Sequence, residues 1–365
     1  MKTVGLISAN YSSGNFGPLM QNRTMASLPY GGRYRLIDFT LSNMINSGIT
    51  EVGVVSPYNS GSLIDHVGDG KAWSLARKEG GLFMMPGSVF GLRANGARFI
   101  LRDMIANKAF LTRSKADYAI VSGSSDVYNI DYTELIKQHR NSANPITIMY
   151  KTVENAEDYR GFFIEKNIFG NVASILTEAS GTAMYFMDCF IIDCSFLMEL
   201  LDWYSTLEHM DLFSVLKEEL PKFTIGTYEF DGYLGKINGI EDYLRVSRDM
   251  FDYDMRNDIF CSDRTIYTKA QDEAPTLYKP GSSVTESIVA AGCRIEGSVD
   301  RSIIFRSTTV GAGASVSNSV VMMHGSIGEG AVLDNVICDK YVTVSPGTKL
   351  IGGKEPIILA KGARV

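Results

Sequence analysis

The chain has 365 residues, of which 45% are hydrophobic and 21% charged, with 35 glycines and a formal net charge of −6. This balance excludes collagen-like, disordered and helical-membrane classes, and without a global positive field a nucleic-acid partner is not expected. Nowhere do about 18 apolar residues run uninterrupted, and the start MKTVGLISANY lacks a signal-peptide core, so no membrane partner and a cytoplasmic location are expected. At about 150 residues per domain the length suggests two domains that bury their cores without staples. The five cysteines (Cys189, Cys194, Cys261, Cys293, Cys338) contain no C-x-x-C pair and read as reduced core thiols, while the scattered His66, His139, His209 and His324 argue against a zinc site.

Residues 1 to about 250 alternate apolar strands with helical patterns: VGLIS (4–8), EVGVVS (51–56), YAIVSG (118–123) and ITIMYK (146–151). This βαβ rhythm predicts a parallel-rich sheet covered by helices. Between the first two strands Ile37, Leu41, Met44 and Ile45 recur at helical spacing and Gly48 follows as a C-cap. A right-handed crossover then places the loop 9–30 at the carboxyl ends of the strands, where open α/β sheets bind ligands. Residues 251–276 read as a linker or short helix. From 277 to 365 helical periodicity disappears: Val310, Val316 and Met322 stand six apart, as do Val321, Ile327 and Leu333, and VGAGAS and IGEGAV are near-copies. Hexad repetition with glycine at turns predicts a β-solenoid that buries one small or aliphatic side chain per face.

Residues 22–48, NRTMASLPYGGRYRLIDFTLSNMINSG, closely resemble the first helix-and-loop segment of bacterial ADP-glucose pyrophosphorylases (glucose-1-phosphate adenylyltransferases). Further similarity runs through SPYNSGSLIDHVGDGKAW (56–73), DVYNIDY (126–132), FDGYLGKINGIEDYLRVSRDM (230–250), IYTKAQDEAPT (266–276) and residues 288–322. The resemblance covers nearly the whole chain. It implies an α/β + β protein: a Rossmann-like, GT-A-like nucleotidyltransferase domain (1–250), a linker (251–276) and a left-handed parallel β-helix (277–365), in the pathway to glycogen.

The chain departs from that family wherever the family keeps a reactive group. The glycine loop A-G-G-x-G-T-R becomes Ala9-Asn10-Tyr11-Ser12-Ser13-Gly14-Asn15, so that Asn10 and Tyr11 fill space needed by phosphate oxygens and Asn15 replaces an arginine. Losing one charge-assisted phosphate contact removes roughly 2–4 kcal/mol of transition-state stabilisation. The lysine of R-A-K-P aligns with Met25, and the two metal-binding aspartates align with Ser125 and Lys236. Strand alternation turns the neighbouring Asp126 to the opposite face from Ser125, so Asp126 is not expected to substitute. No Mg²⁺ is expected there. The sugar-phosphate loop F-x-E-K-P is missing from NVASILTEASGTAMY.

Combined loss of these groups resembles the GlgD-type subunits of the family, which implies a non-catalytic regulatory chain. It would modulate a catalytic GlgC-type partner, in a heterotetramer, with no cofactor of its own. Two other readings compete. The chain is itself an active adenylyltransferase using Mg²⁺ with Asp126 and backbone groups, or it is a stand-alone sugar-phosphate or nucleotide binding module. The resemblance also makes Arg23 and Arg35, with nearby Arg33, candidates for a phosphorylated-sugar or phosphate effector site between the domains, although the family's effector lysine is here Asn22. A purely structural role has them pairing with Asp38 or helix-end carbonyls. Asp65, His66 and Asp69 read as a polar loop without chemistry.

Overall fold

A computed structural model describes residues 1–9, 16–56, 60–87, 99–206, 211–220, 222–261 and 263–365. The first strand, β1 (Thr3–Ser8), is followed by helix α1 (Leu36–Asn46), β2 (Glu51–Ser56), helix α2 (Gly61–Val67), β3 (Gly81–Pro86), β4 (Tyr118–Ser122) and β5 (Ile146–Val153). The sheet is completed by β6 (Phe163–Lys166), β7 (Val172–Leu176), β8 (Ala183–Asp193) and β9 (Ile225–Glu229). Nine strands make one sheet in which β1 lies between β2 and β4, both parallel to it. Alternation along β1 sends Val4 and Leu6 to a core on one face and Ile7 to a core on the other, so helices cover both faces.

Beyond β4 the sheet is mixed: β9 pairs parallel with β5, but the strands around β8 depart from the parallel expectation. Strand β8 runs antiparallel to β4, β5 and β6, and β7 is antiparallel to β6. The connections from β5 through β8 are too short for the dozen or more residues that a helical crossover needs, so the chain turns back on itself.

Helix α1 begins at a capping box, in which Asp38 accepts from the Arg35 backbone N–H at 3.0 Å, and ends before Gly48 in the left-handed region. Gly31 and Gly32, both with positive φ, make the turn that brings Tyr34–Arg35 back against Pro29–Tyr30. The segment after residue 250 starts with an α-helix, Tyr253–Ile259. It continues as a strap held to the first domain by Asn129 to Ile259 and Arg264 carbonyls, and by Tyr267 N–H to Ser42. Among the described residues no helix is long and apolar enough to cross a membrane.

From Leu277 onward, short strands stack into three parallel five-stranded sheets, the faces of a β-helix. Inward side chains follow the register Ile295–Val310–Ile327–Val344 on one face, Val299–Val316–Leu333–Leu350 on the second and Ile304–Val321–Cys338–Leu359 on the third. Met322 breaks the expected phase. The step onto the third face is one residue shorter than a hexad, so Val321 points inward and Met322 points out into the core shared with the first domain. Glycine is required where coils approach closely: a Cβ on Gly328 would stand 2.5 Å from the Pro346 nitrogen of the next coil. Ile303, Val320 and Ile337 on the outer side of this third face pack with Tyr30, Phe39 and Tyr243, and this joint core unites the two domains.

Candidate functional site

Beyond the carboxyl end of β4 a two-residue strand, Asp126–Val127, pairs antiparallel with Gly235–Lys236 and sets Lys236 opposite Asp126. The third member comes from β8. Between Phe186 and Phe190 the register of β8 shifts, and within this bulge Asp188 takes φ +51°, a conformation that favours glycine. The bulge aims the Asp188 carboxylate at Lys236.

The Lys236 Nζ stands 2.8 Å from Asp126 Oδ1 and 2.6 Å from Asp188 Oδ2, with all three side chains buried. It also lies 3.5 Å from Ser125 Oγ and 5.9 Å from the Tyr185 ring centroid. Ser125 and Asp126 do not point apart as expected. Ser125 donates to Asp126 Oδ1 at 3.0 Å, because Ser125 precedes the short strand and is not bound by strand alternation. The residues do not fit Mg²⁺. The two carboxylates that would ligate it already converge on an ammonium, and a like charge cannot share that position. Among the described residues no group of three His, Cys, Asp or Glu side chains is placed to hold a metal ion.

Met25 is buried in the joint core, where it supplies no charge. Asn10, Tyr11 and Asn15 lie outside the described residues. The turn from β7 to β8 spans only residues 177–182, as the missing sugar-phosphate loop implies.

Arg23 and Arg35 approach each other; Arg33 does not join them. Arg23 reaches across the domain boundary and grips Asp339 with two bonds, 2.6 and 2.7 Å, both groups buried. Its structural partner is therefore Asp339, not Asp38. Asp38 instead caps α1 and lies 2.6 Å from His66 Nε2, whose ring meets Trp73 edge-on, so His66 is a buried helix residue and not part of a polar loop. The Arg35 guanidinium donates to the Ser62 carbonyl and, at 2.9 Å, to Ser62 Oγ. Its Nε is buried and finds no partner among the described residues. Burial lowers the Arg35 pKa to about 10, with Asp38 opposing the shift and the nearby Arg23 charge adding to it. Arg33 is exposed and lies over the Tyr34 ring, 5.2 Å from its centroid.

Sequence reasoning missed Lys340. Burial, followed by repulsion from Arg35 and Arg23, lowers its pKa to about 7 against the opposing pull of Asp339. The signal was the charged pair Asp339-Lys340, directly after inward-facing Cys338 in an otherwise apolar coil. Arg23, Arg35 and Lys340 thus place three basic groups at the seam between domains, with the Asp339 and Asp38 carboxylates beside them.

Family models agree with both halves: the one described as nucleotidyl transferase matches residues 14–162, and the GlmU-like C-terminal hexapeptide model matches residues 277–355. Glycogen biosynthesis protein GlgD of Bacillus subtilis (strain 168) is 33% identical over 361 residues, covering 98% of this chain and 96% of that protein. The GlgD protein of Geobacillus stearothermophilus is 36% identical over 365 residues, covering 99% and 96%. Glucose-1-phosphate adenylyltransferase of Geobacillus stearothermophilus is 26% identical over 324 residues, covering 86% and 83%. With the nucleotidyltransferase domain, the β-helix and full-length likeness to two GlgD proteins all in place, the chain belongs to the GlgD family of glycogen biosynthesis proteins.

Proposed function

We propose that the chain is a catalytically silent regulatory subunit that associates, in the cytoplasm, with a catalytic GlgC-type glucose-1-phosphate adenylyltransferase as a heterotetramer and tunes its activity. The observation that carries this reading is the Lys236 ammonium seated between Asp126 and Asp188. Attack of a sugar phosphate on the α-phosphorus of ATP builds negative charge on departing pyrophosphate, which needs cations aimed at it. Here the cation nearest the carboxylates is consumed by them, and Met25 is apolar. Coupling of about 1–3 kcal/mol across a subunit interface changes affinity or activity by about 5–150-fold, enough for regulation without chemistry.

The seam between the domains supports a second element of the proposal, an anion site for a phosphorylated sugar or inorganic phosphate. Arg35 carries a buried N–H with no partner among the described residues and Lys340 faces two guanidinium charges, so an anion arriving there relieves repulsion.

Pyrophosphate release tests the whole reading. The purified chain alone yields none above background. Mixed with a catalytic GlgC-type subunit, it raises turnover or shifts the effector response. ADP-glucose formation by the chain alone at a rate comparable with its adenylyltransferase relatives overturns the proposal, as does a mixture indistinguishable from the catalytic subunit. An activation curve for a sugar bisphosphate that is unchanged by Arg35→Ala removes the anion site.

A further inference from the structure

We propose that Lys236 is a tethered substitute for a divalent cation, and that Asp126 and Asp188 form a latent divalent-metal site that its ammonium keeps closed. This concerns the chain's own ion economy and stands whether or not a catalytic partner exists.

Three observations converge on it. The two carboxylates come from unconnected elements, a short ribbon and the bulge of the longest strand, yet each lies within 2.8 Å of one nitrogen. Asp188 holds that aim while in the left-handed backbone region, which an aspartate adopts less readily than glycine. Ser125 Oγ and the Tyr185 ring also face the ammonium, an oxygen and an aromatic face, both of which suit a cation. Two buried carboxylates held together repel unless a positive charge lies between them. A metal ion would supply that charge reversibly and at the mercy of its concentration. The lysine supplies it covalently, so the site keeps its shape in the absence of any ion.

Removing the tether reopens the site. In the full chain, Lys236→Ala leaves Asp126 and Asp188 facing a cavity, and the thermal midpoint falls by about 5–10 °C in metal-free buffer. Adding Mn²⁺ to about 5 mM restores at least half of that loss by binding the folded form. Electron paramagnetic resonance then counts one Mn²⁺ per chain with a dissociation constant on the order of 10⁻⁴–10⁻³ M. Adding Asp126→Asn to that variant abolishes both effects. Wild type shows neither a midpoint shift nor bound Mn²⁺ under the same conditions. A folded Lys236→Ala variant that binds no Mn²⁺, or one that stays unfolded with Mn²⁺ present, overturns the latent site. Mn²⁺ bound by wild type and lost on Asp126→Asn overturns the claim that the lysine keeps it closed. These readouts are binding and stability, so they fail separately from the regulatory reading, which is decided by pyrophosphate release.

Discussion

Arg23 and Asp339, from opposite ends of the chain, form a buried two-pronged ion pair that fastens the first domain to the β-helix. Truncating one partner strands the other as an uncompensated buried charge. Arg23→Ala is therefore expected to cost about 3–5 kcal/mol in urea unfolding. The double replacement Arg23→Met with Asp339→Leu recovers most of that loss, since apolar groups of similar volume need no counter-charge. A single-variant loss under about 1 kcal/mol contradicts the burial of this pair.

The proposed anion site at the domain seam is expected to depend on pH through Lys340. Its folded pKa of about 7 means that it carries charge below neutrality and loses it above. Sulfate, which keeps its charge over this range, should raise the thermal midpoint most at pH 6, with its affinity falling about 3–10-fold by pH 8. In Lys340→Met that dependence flattens. Without an anion, the unfolded chain holds more protons than the folded one between about pH 7 and the ordinary lysine range. The Lys340 contribution to stability therefore rises with pH across that window, and Lys340→Met removes the rise.

His139 sets an acid limit. It is buried between Thr147 Oγ1 at 2.8 Å and Asp193 Oδ1 at 3.2 Å, and burial lowers its pKa below the usual 6.5 although Asp193 pulls the other way. On acidification the unfolded chain takes up the proton first, so stability falls as pH drops below about 6.5. His139→Asn should flatten this slope between about pH 6.5 and 5 in urea midpoints followed against pH. An unchanged slope assigns the loss to other groups.

The phase of the β-helix is testable at adjacent positions. Leu333 points inward and is fully buried, whereas Val332 is half-buried on the outer side. Leu333→Ala should cost about 2–5 kcal/mol and Val332→Ala under about 1 kcal/mol. Equal losses contradict the register.

Much of the fold was legible because local patterns sufficed. The spacing of Ile37, Leu41 and Met44 with Gly48 gave α1, and the copies VGAGAS and IGEGAV gave the coils. Met322 was misphased because a hexad was extended onto a face where the step is shorter. The antiparallel strand β8 was missed because an apolar run does not state its direction. At the site, Ser125 and Lys236 stood out as departures from a motif, but their partner Asp188 did not. Its only trace is a carboxylate within the apolar run AMYFMDCFIID, which needs both a bulge and a buried cation to be tolerated. Asp339 was invisible for a different reason. It meets Arg23 across a sequence separation of 316 positions, which no local pattern spans.

The pairs Ile303–Ile304, Val320–Val321 and Ile337–Cys338 make the third face of the β-helix water-averse on both sides. Severing the polypeptide near residue 277 would therefore not liberate two well-behaved fragments. Each would carry a greasy wound matching the other's, prone to self-association, and the intact molecule should melt in one cooperative step despite its bipartite anatomy.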